Sequence, residues 1–185
     1  MNNEWLLCVK TNNADHIKTK IDSVIKSNNI KSSVEYKSTK GENSYQFDLF
    51  QYTDQFQDVI DSIKNVTMHS LNKFNNDRLT DLSIVSSWSV YGDRGSYHTI
   101  HRHNDITHNH VCTVLYLSTS EYDTNNPGSF FAIVNNDVVT HQPSVGDLLI
   151  FPVNLLHGTY PQGNGLRQTL SNDFELNYLS GVMAA

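Results

Sequence analysis

The chain has 185 residues, a formal net charge of −6 and a mean hydropathy of −0.44, enough for one folded domain with a sizeable core. No apolar run reaches the 18 or more residues of a membrane span, and the N-terminus lacks the basic start and apolar middle of a signal peptide. Cys8 and Cys112 are too few for a disulfide framework or a zinc site built of thiolates, so the expectation is a soluble, cytoplasmic protein of a reducing compartment, with no membrane partner.

Charge divides unevenly along the chain. Through Lys73 nine lysines face nine acidic residues; beyond it four arginines face ten, so the second half carries the whole excess. A polyanion needs a basic track to dock on, and none is visible. No nucleic-acid partner is expected.

Trp5 to Val9 reads as a short apolar strand. Ala14 to Ser27 places Ile17, Ile21, Val24 and Ile25 at helical spacing. Tyr45 to Phe50 alternates as a strand does. From Asp54 the positions Phe56, Val59, Ile60, Ile63, Val66, Ser70, Leu71 and Phe74 predict a second helix, N-capped by Thr53 or Asp54, whose stripe is core packing. After Asn76 come β-rich runs: Leu82–Tyr91, Val111–Ser118, Ser129–Val134, Val138–Thr140, Asp147–Phe151 and Gln168–Leu176. Tight turns such as Asn-Asn-Pro-Gly at 125–128 separate them. The expected form is one mainly β (α+β) domain over 1–185. Residues 1–80 form a support region of helices and strands, packed against a jelly roll over 81–178.

Seven of the nine histidines fall between positions 98 and 157. His101, His103 and Asp105 are spaced two apart, so on an extended strand all three project from one face. His157 follows Gly146-Asp-Leu-Leu-Ile-Phe-Pro152, a glycine turn into a buried strand, which puts it at a barrel mouth where it can meet the upstream group. Two or three imidazoles with a carboxylate suit a non-haem iron site that leaves coordination positions open. Arg167 is one of four arginines in a lysine-preferring composition. A guanidinium grips a carboxylate through two parallel hydrogen bonds, and Thr169 lies on the same strand face. His98, His108 and His110 are ambiguous; His16, His69 and His141 read as structural or surface residues.

The run Ser87-Trp88-Ser-Val-Tyr91-Gly-Asp-Arg-Gly95-Ser-Tyr97-His98-Thr-Ile-His101-Arg-His103 resembles the phage and bacterial iron(II)/2-oxoglutarate oxygenases. Cys112-Thr-Val-Leu-Tyr116-Leu resembles their next core strand. Gly146-Asp-Leu-Leu-Ile-Phe-Pro, His157 and Arg167-x-Thr169-x-Ser171 resemble their closing block. The resemblance covers about residues 85–176. It implies a double-stranded β-helix using Fe(II), 2-oxoglutarate and O2, with a small-molecule or peptidyl substrate and hydroxylation as the default outcome. His103 and His157 would be metal ligands. The third would be His101 by the register of that subgroup, or Asp105 by the His-x-Asp habit of the wider superfamily. Arg167 and Thr169 would hold the distal carboxylate of 2-oxoglutarate, with a hydrogen bond from Tyr91, Tyr97 or Tyr116. Trp88 and Phe151 are candidate walls, though core packing accounts for both.

Two rivals stand beside this reading. A cupin-type dioxygenase or isomerase would use the histidines without 2-oxoglutarate, but it gives Arg167 no task. Cupins also favour a glutamate shortly after His-x-His, and none occurs between His103 and Glu121. A non-catalytic β-sandwich binding protein would make the histidine cluster incidental.

Overall fold

The computed structural model describes residues 4–33, 44–75, 79–103, 109–125 and 127–178. The elements are β1 (Leu7–Lys10), α1 (Ala14–Ser27), β2 (Ser44–Asp48), a 3-10 turn (Phe50–Phe56), α2 (Gln57–Asn75), β3 (Leu79–Gly92), β4 (His98–His101), β5 (His110–Ser118), β6 (Phe130–Val134), β7 (Asp137–His141), β8 (Asp147–Pro152), β9 (His157–Thr159) and β10 (Arg167–Tyr178).

The strands form two antiparallel sheets. One has the order β1-β8-β5-β10-β3-β2 and the other β4-β9-β6-β7. β1 pairs with β8 and β2 with β3, so the chain up to Asn75 supplies both edges of the larger sheet as well as its helices. The predicted second helix begins at Gln57 rather than after Thr53 or Asp54. The chain enters through the 3-10 turn, where the Thr53 hydroxyl donates to the Phe50 carbonyl instead of capping a helix.

Strand alternation sorts the large sheet into two faces. On β8, Leu148 and Ile150 join the helix-side core while Leu149 and Phe151 join a second core between the sheets. β5 repeats the pattern, with Leu115 and Leu117 toward the helices and Cys112, Val114 and Tyr116 toward the other sheet. The helix-side core takes Ile17, Ile21 and Val24 from α1 and Val59, Ile60, Ile63 and Leu71 from α2, confirming both stripes as packing faces. β10 is buried on both faces from Arg167 to Phe174, and on the helix side the buried Gln168 and Asn172 find partners in Asp22, Tyr91, Ser87 and Thr113. Leu170 and Phe174 pack in the helix-side core, whereas Arg167, Thr169, Ser171 and Asp173 line a cavity between the sheets. Polar groups enter an interior only where something pairs with them, so this row of four marks where the fold is built for chemistry.

Gly146 carries φ +86°, and a Cβ there would sit 2.6 Å from the Thr11 carbonyl oxygen. Only glycine allows the turn that leads into β8.

Candidate functional site

The cavity between the sheets has a volume of about 740 Å³. His101, His103, His157, Trp88, Tyr116, Phe130, Arg167, Thr169, Ser171 and Asp173 all contribute to its wall. His101 and His157 are direct cross-strand partners of β4 and β9, and their ring centroids lie 4.3 Å apart. Beside them a Cβ on Gly158 would meet the Phe131 ring at 2.6 Å and the His98 carbonyl oxygen at 2.8 Å. Glycine is what lets these two short strands approach. β4 ends at His101; His103 lies just beyond, its backbone N–H donating to the Val153 carbonyl at 2.9 Å.

One ring nitrogen from each of His101, His103 and His157 lies within 4.8 Å of the other two. The remaining nitrogens settle the tautomers. His101 Nδ1 is 2.8 Å from the Thr99 carbonyl oxygen and His157 Nδ1 is 2.8 Å from the Leu155 carbonyl oxygen. A carbonyl can only accept, so both Nδ1 atoms carry a proton, which leaves Nε2 as the atom through which each ring can bind a metal. His103 Nδ1 sits 3.1 and 3.2 Å from the two carboxylate oxygens of Asp173, which has the same consequence. Three imidazoles thus turn their Nδ1 atoms to acceptors and converge on one spot, the arrangement a divalent transition metal requires. Burial and the neighbouring His101 and His103 hold the His157 imidazole well below its ordinary value, at about 3. It therefore stays neutral and ready to bind. Phe151 and Phe130 enclose it, at centroid separations of 4.7 and 5.7 Å.

Arg167 is fully buried, at 2% exposure, and its Nη1 has no hydrogen-bond partner. Among the described residues no carboxylate pairs with it. An unpaired buried charge costs several kcal/mol, and burial accordingly lowers the guanidinium's proton affinity. The missing counter-charge is the shape of an anion site. Thr169 and Tyr116 line the same cavity. Burial chiefly, with the Asp147 and Cys8 charges, pushes the Tyr116 phenol up to about 12 against the opposing pull of Arg167, so it remains a neutral donor.

Of the sequence candidates, His101, His103, His157, Arg167, Thr169 and Tyr116 come together. Asp105 and His108 lie outside the described residues. Tyr91 is corrected: its hydroxyl donates to Asp22 of α1, and Gln168 donates to both. On β3 Trp88 and Val90 line the cavity, and Tyr91, of opposite parity, faces the helices. Tyr97 is not part of the cavity wall. Trp88 lines the cavity and stands edge-on to His103 at 5.6 Å, whereas Phe151 serves as inter-sheet core. Sequence reasoning missed Asp173, 4% exposed, which accepts from His103 and, at 2.9 Å, from the Ser86 hydroxyl. Its signal was parity, since Arg167, Thr169, Ser171 and Asp173 share one face of the strand.

No protein-family model matches the chain, and no curated protein matches it in sequence. Solved structures do match in fold. A prolyl-4-hydroxylase from Pseudomonas putida is 15% identical with a TM-score of 0.64, over 95% of this chain and 93% of that one. HygX from Streptomyces hygroscopicus, with nickel, 2-oxoglutarate and hygromycin B bound, is 11% identical with a TM-score of 0.69, over 98% and 87%. A prolyl hydroxylase from Trichoplax adhaerens, in complex with a hypoxia-inducible-factor peptide fragment, is 12% identical with a TM-score of 0.64, over 92% and 83%. The fold is the double-stranded β-helix of the 2-oxoglutarate/Fe(II) oxygenases. No helix is long and apolar enough to cross a membrane among the described residues.

Proposed function

We propose that this chain is an Fe(II)- and 2-oxoglutarate-dependent oxygenase, a hydroxylase of a peptidyl residue, an amino acid or a small metabolite. The observation that carries the reading is the pairing, in one cavity, of three converging imidazoles with a buried guanidinium that has no counter-ion among the described residues. A cupin-type site would use the first and leave the second as an uncompensated cost.

In this reading His101, His103 and His157 hold the metal, and Asp173 stands behind His103. Arg167 takes the distal carboxylate of 2-oxoglutarate in a bidentate grip, with Thr169 and Tyr116 as hydroxyl donors. When bound, the metal, 2-oxoglutarate and O2 supply the oxidising chemistry, and the protein supplies orientation and a water-poor wall. Trp88, Phe130 and Val90 form the apolar wall, while Gln46, Asp48, Phe50, Val85 and Arg102 border the cavity on the side of β2 and β4. Phe50 and Val85 are exposed, a surface on which a substrate's apolar part can rest.

The test is anaerobic addition of Fe(II) and then 2-oxoglutarate to metal-free protein, followed by visible absorption. A charge-transfer band that needs both additions, and that Arg167→Ala shifts to much higher 2-oxoglutarate concentration, is the expected result. Iron binding without the band would favour the cupin reading. Absence of iron binding would overturn the metal assignment.

A further inference from the structure

A second group of metal-capable side chains lies outside the cavity wall. Cys8 of β1, His141 at the end of β7 and Asp147 at the start of β8 bring one ligand atom each within 4.8 Å of one another. Cys8 Sγ is 3.7 Å from His141 Nε2, and the same Nε2 is 2.9 Å from Asp147 Oδ2. In a nucleophilic Cys-His-Asp relay the thiol and the carboxylate address opposite ring nitrogens. Here one nitrogen faces both, so sulfur, nitrogen and oxygen converge on a common point. With zinc–sulfur near 2.3 Å and zinc–nitrogen or –oxygen near 2.0–2.1 Å, tetrahedral ligands sit roughly 3.3–3.6 Å apart. The observed spacings lie within a few tenths of an ångström of that.

The carboxylate is already oriented. Lys10 holds Asp147 Oδ1 at 2.7 Å, and the Ser144 backbone N–H donates to Oδ2 at 2.8 Å. These contacts leave Asp147 ionised below the usual carboxylate range, even though its burial pushes the other way. Cys8 is exposed at the sheet edge, so an ion can reach it from solvent.

We propose that Cys8, His141 and Asp147 form a second, mixed-ligand site for a borderline-soft divalent cation, zinc foremost, with water completing a tetrahedron. Binding displaces the Cys8 thiol proton to solvent, exchanges the His141 ring proton from Nε2, where it now faces Asp147 Oδ2, to Nδ1 through solvent, and leaves Lys10 on the outer carboxylate oxygen. β1 and β8 belong to the larger sheet and β7 is the outer strand of the smaller one, so the ion clips the two sheets together at one edge. The site rests on geometry independent of the histidine cluster.

Cobalt(II) tests it, because a thiolate ligand gives an intense near-ultraviolet charge-transfer band that histidine ligands do not. Full-length, chelator-stripped protein should take up two equivalents of cobalt, one with the thiolate band. Cys8→Ser should abolish the band and one equivalent, and His141→Ala should weaken that equivalent at least tenfold. Cys112→Ser should keep the band, which separates it from the thiol near His103. His157→Ala should keep it too, so failure of the histidine site leaves this result readable. Zinc should raise the Tm of Cys112→Ser above that of Cys8→Ser. Absence of a thiolate band in the unsubstituted protein, or its survival in Cys8→Ser, would overturn the proposal.

Discussion

His103 and Asp173 are joined through Nδ1, with the two carboxylate oxygens 3.1 and 3.2 Å away. The contact links β10 of the larger sheet to a histidine whose two companions sit in the smaller one. It fixes the ring's orientation and leaves Nε2 as the donor, and a buried carboxylate behind an imidazole raises its basicity toward a metal. In the proposed ligand set of three imidazoles, Asp173 would supply the negative charge behind His103.

Asp173→Ala should therefore lower metal affinity about 10- to 100-fold, read by calorimetry with Fe(II) or cobalt. Asp173→Asn keeps an acceptor but not the charge, and should fall between Ala and the unsubstituted protein. If Asp173→Ala binds metal normally while folding normally, Asp173 has no positioning role.

Arg167 sets stability against binding. Its side chain is buried with Nη1 unpartnered. An uncompensated buried charge costs several kcal/mol, a cost that an apolar side chain of similar size does not carry. Arg167→Met should raise the Tm of the ligand-free protein by several degrees and weaken 2-oxoglutarate binding on the order of 100-fold. Arg167→Lys should keep the charge but recover little affinity, lacking the fork. A destabilised Arg167→Met would mean that the guanidinium is compensated in the folded protein.

His157 makes the metal-free protein acid-sensitive. In the unfolded chain its imidazole takes a proton near 6.5; in the folded protein burial first, and then His101 and His103, defer that to about 3. Between those values the unfolded chain holds the extra proton, so stability is complete above about 6.5 and drains away as pH falls toward 3. At about 1.4 kcal/mol per pH unit, the whole displacement bounds the loss at about 5 kcal/mol. Asp22 and Asp147, both held below the ordinary 3.8, add their losses only beneath that value. Thermal melts between pH 4 and 6.5 should show a falling Tm that His157→Gln flattens. An unchanged slope in that variant would assign the sensitivity elsewhere.

How much of this was legible in sequence follows from which interactions are local. Both helices, and eight of the ten strands to within a few residues, announce themselves through period-3.6 and period-2 patterning. β4 and β9 did not, being four and three residues long and held by cross-strand pairing that no local pattern encodes. His101, His103 and His157 were visible as residue types at suggestive spacing. That His101 and His157 face each other is a fact of register. Asp173 was hidden because its partner lies 70 residues away. His141, read as a lone residue, met Cys8 and Asp147 only once the two sheet edges closed.

Tyr91 and Tyr116 separate the two faces of the larger sheet by experiment. Tyr116 lines the cavity beside Arg167, whereas Tyr91 donates to Asp22 on the helix side. Tyr116→Phe removes only a hydroxyl, so it should weaken 2-oxoglutarate binding about 5- to 10-fold, the worth of one hydrogen bond of roughly 1–1.5 kcal/mol, with little effect on fold. Tyr91→Phe should leave 2-oxoglutarate binding unchanged and lower stability by about 1 kcal/mol, because Asp22 and Gln168 are each deprived of the phenol as a hydrogen-bond partner. Calorimetric titration with 2-oxoglutarate and chemical denaturation of both variants give the two readouts. An inverted pattern, with Tyr91→Phe impairing binding and Tyr116→Phe silent, would mean that the co-substrate is gripped from elsewhere than the Arg167 face.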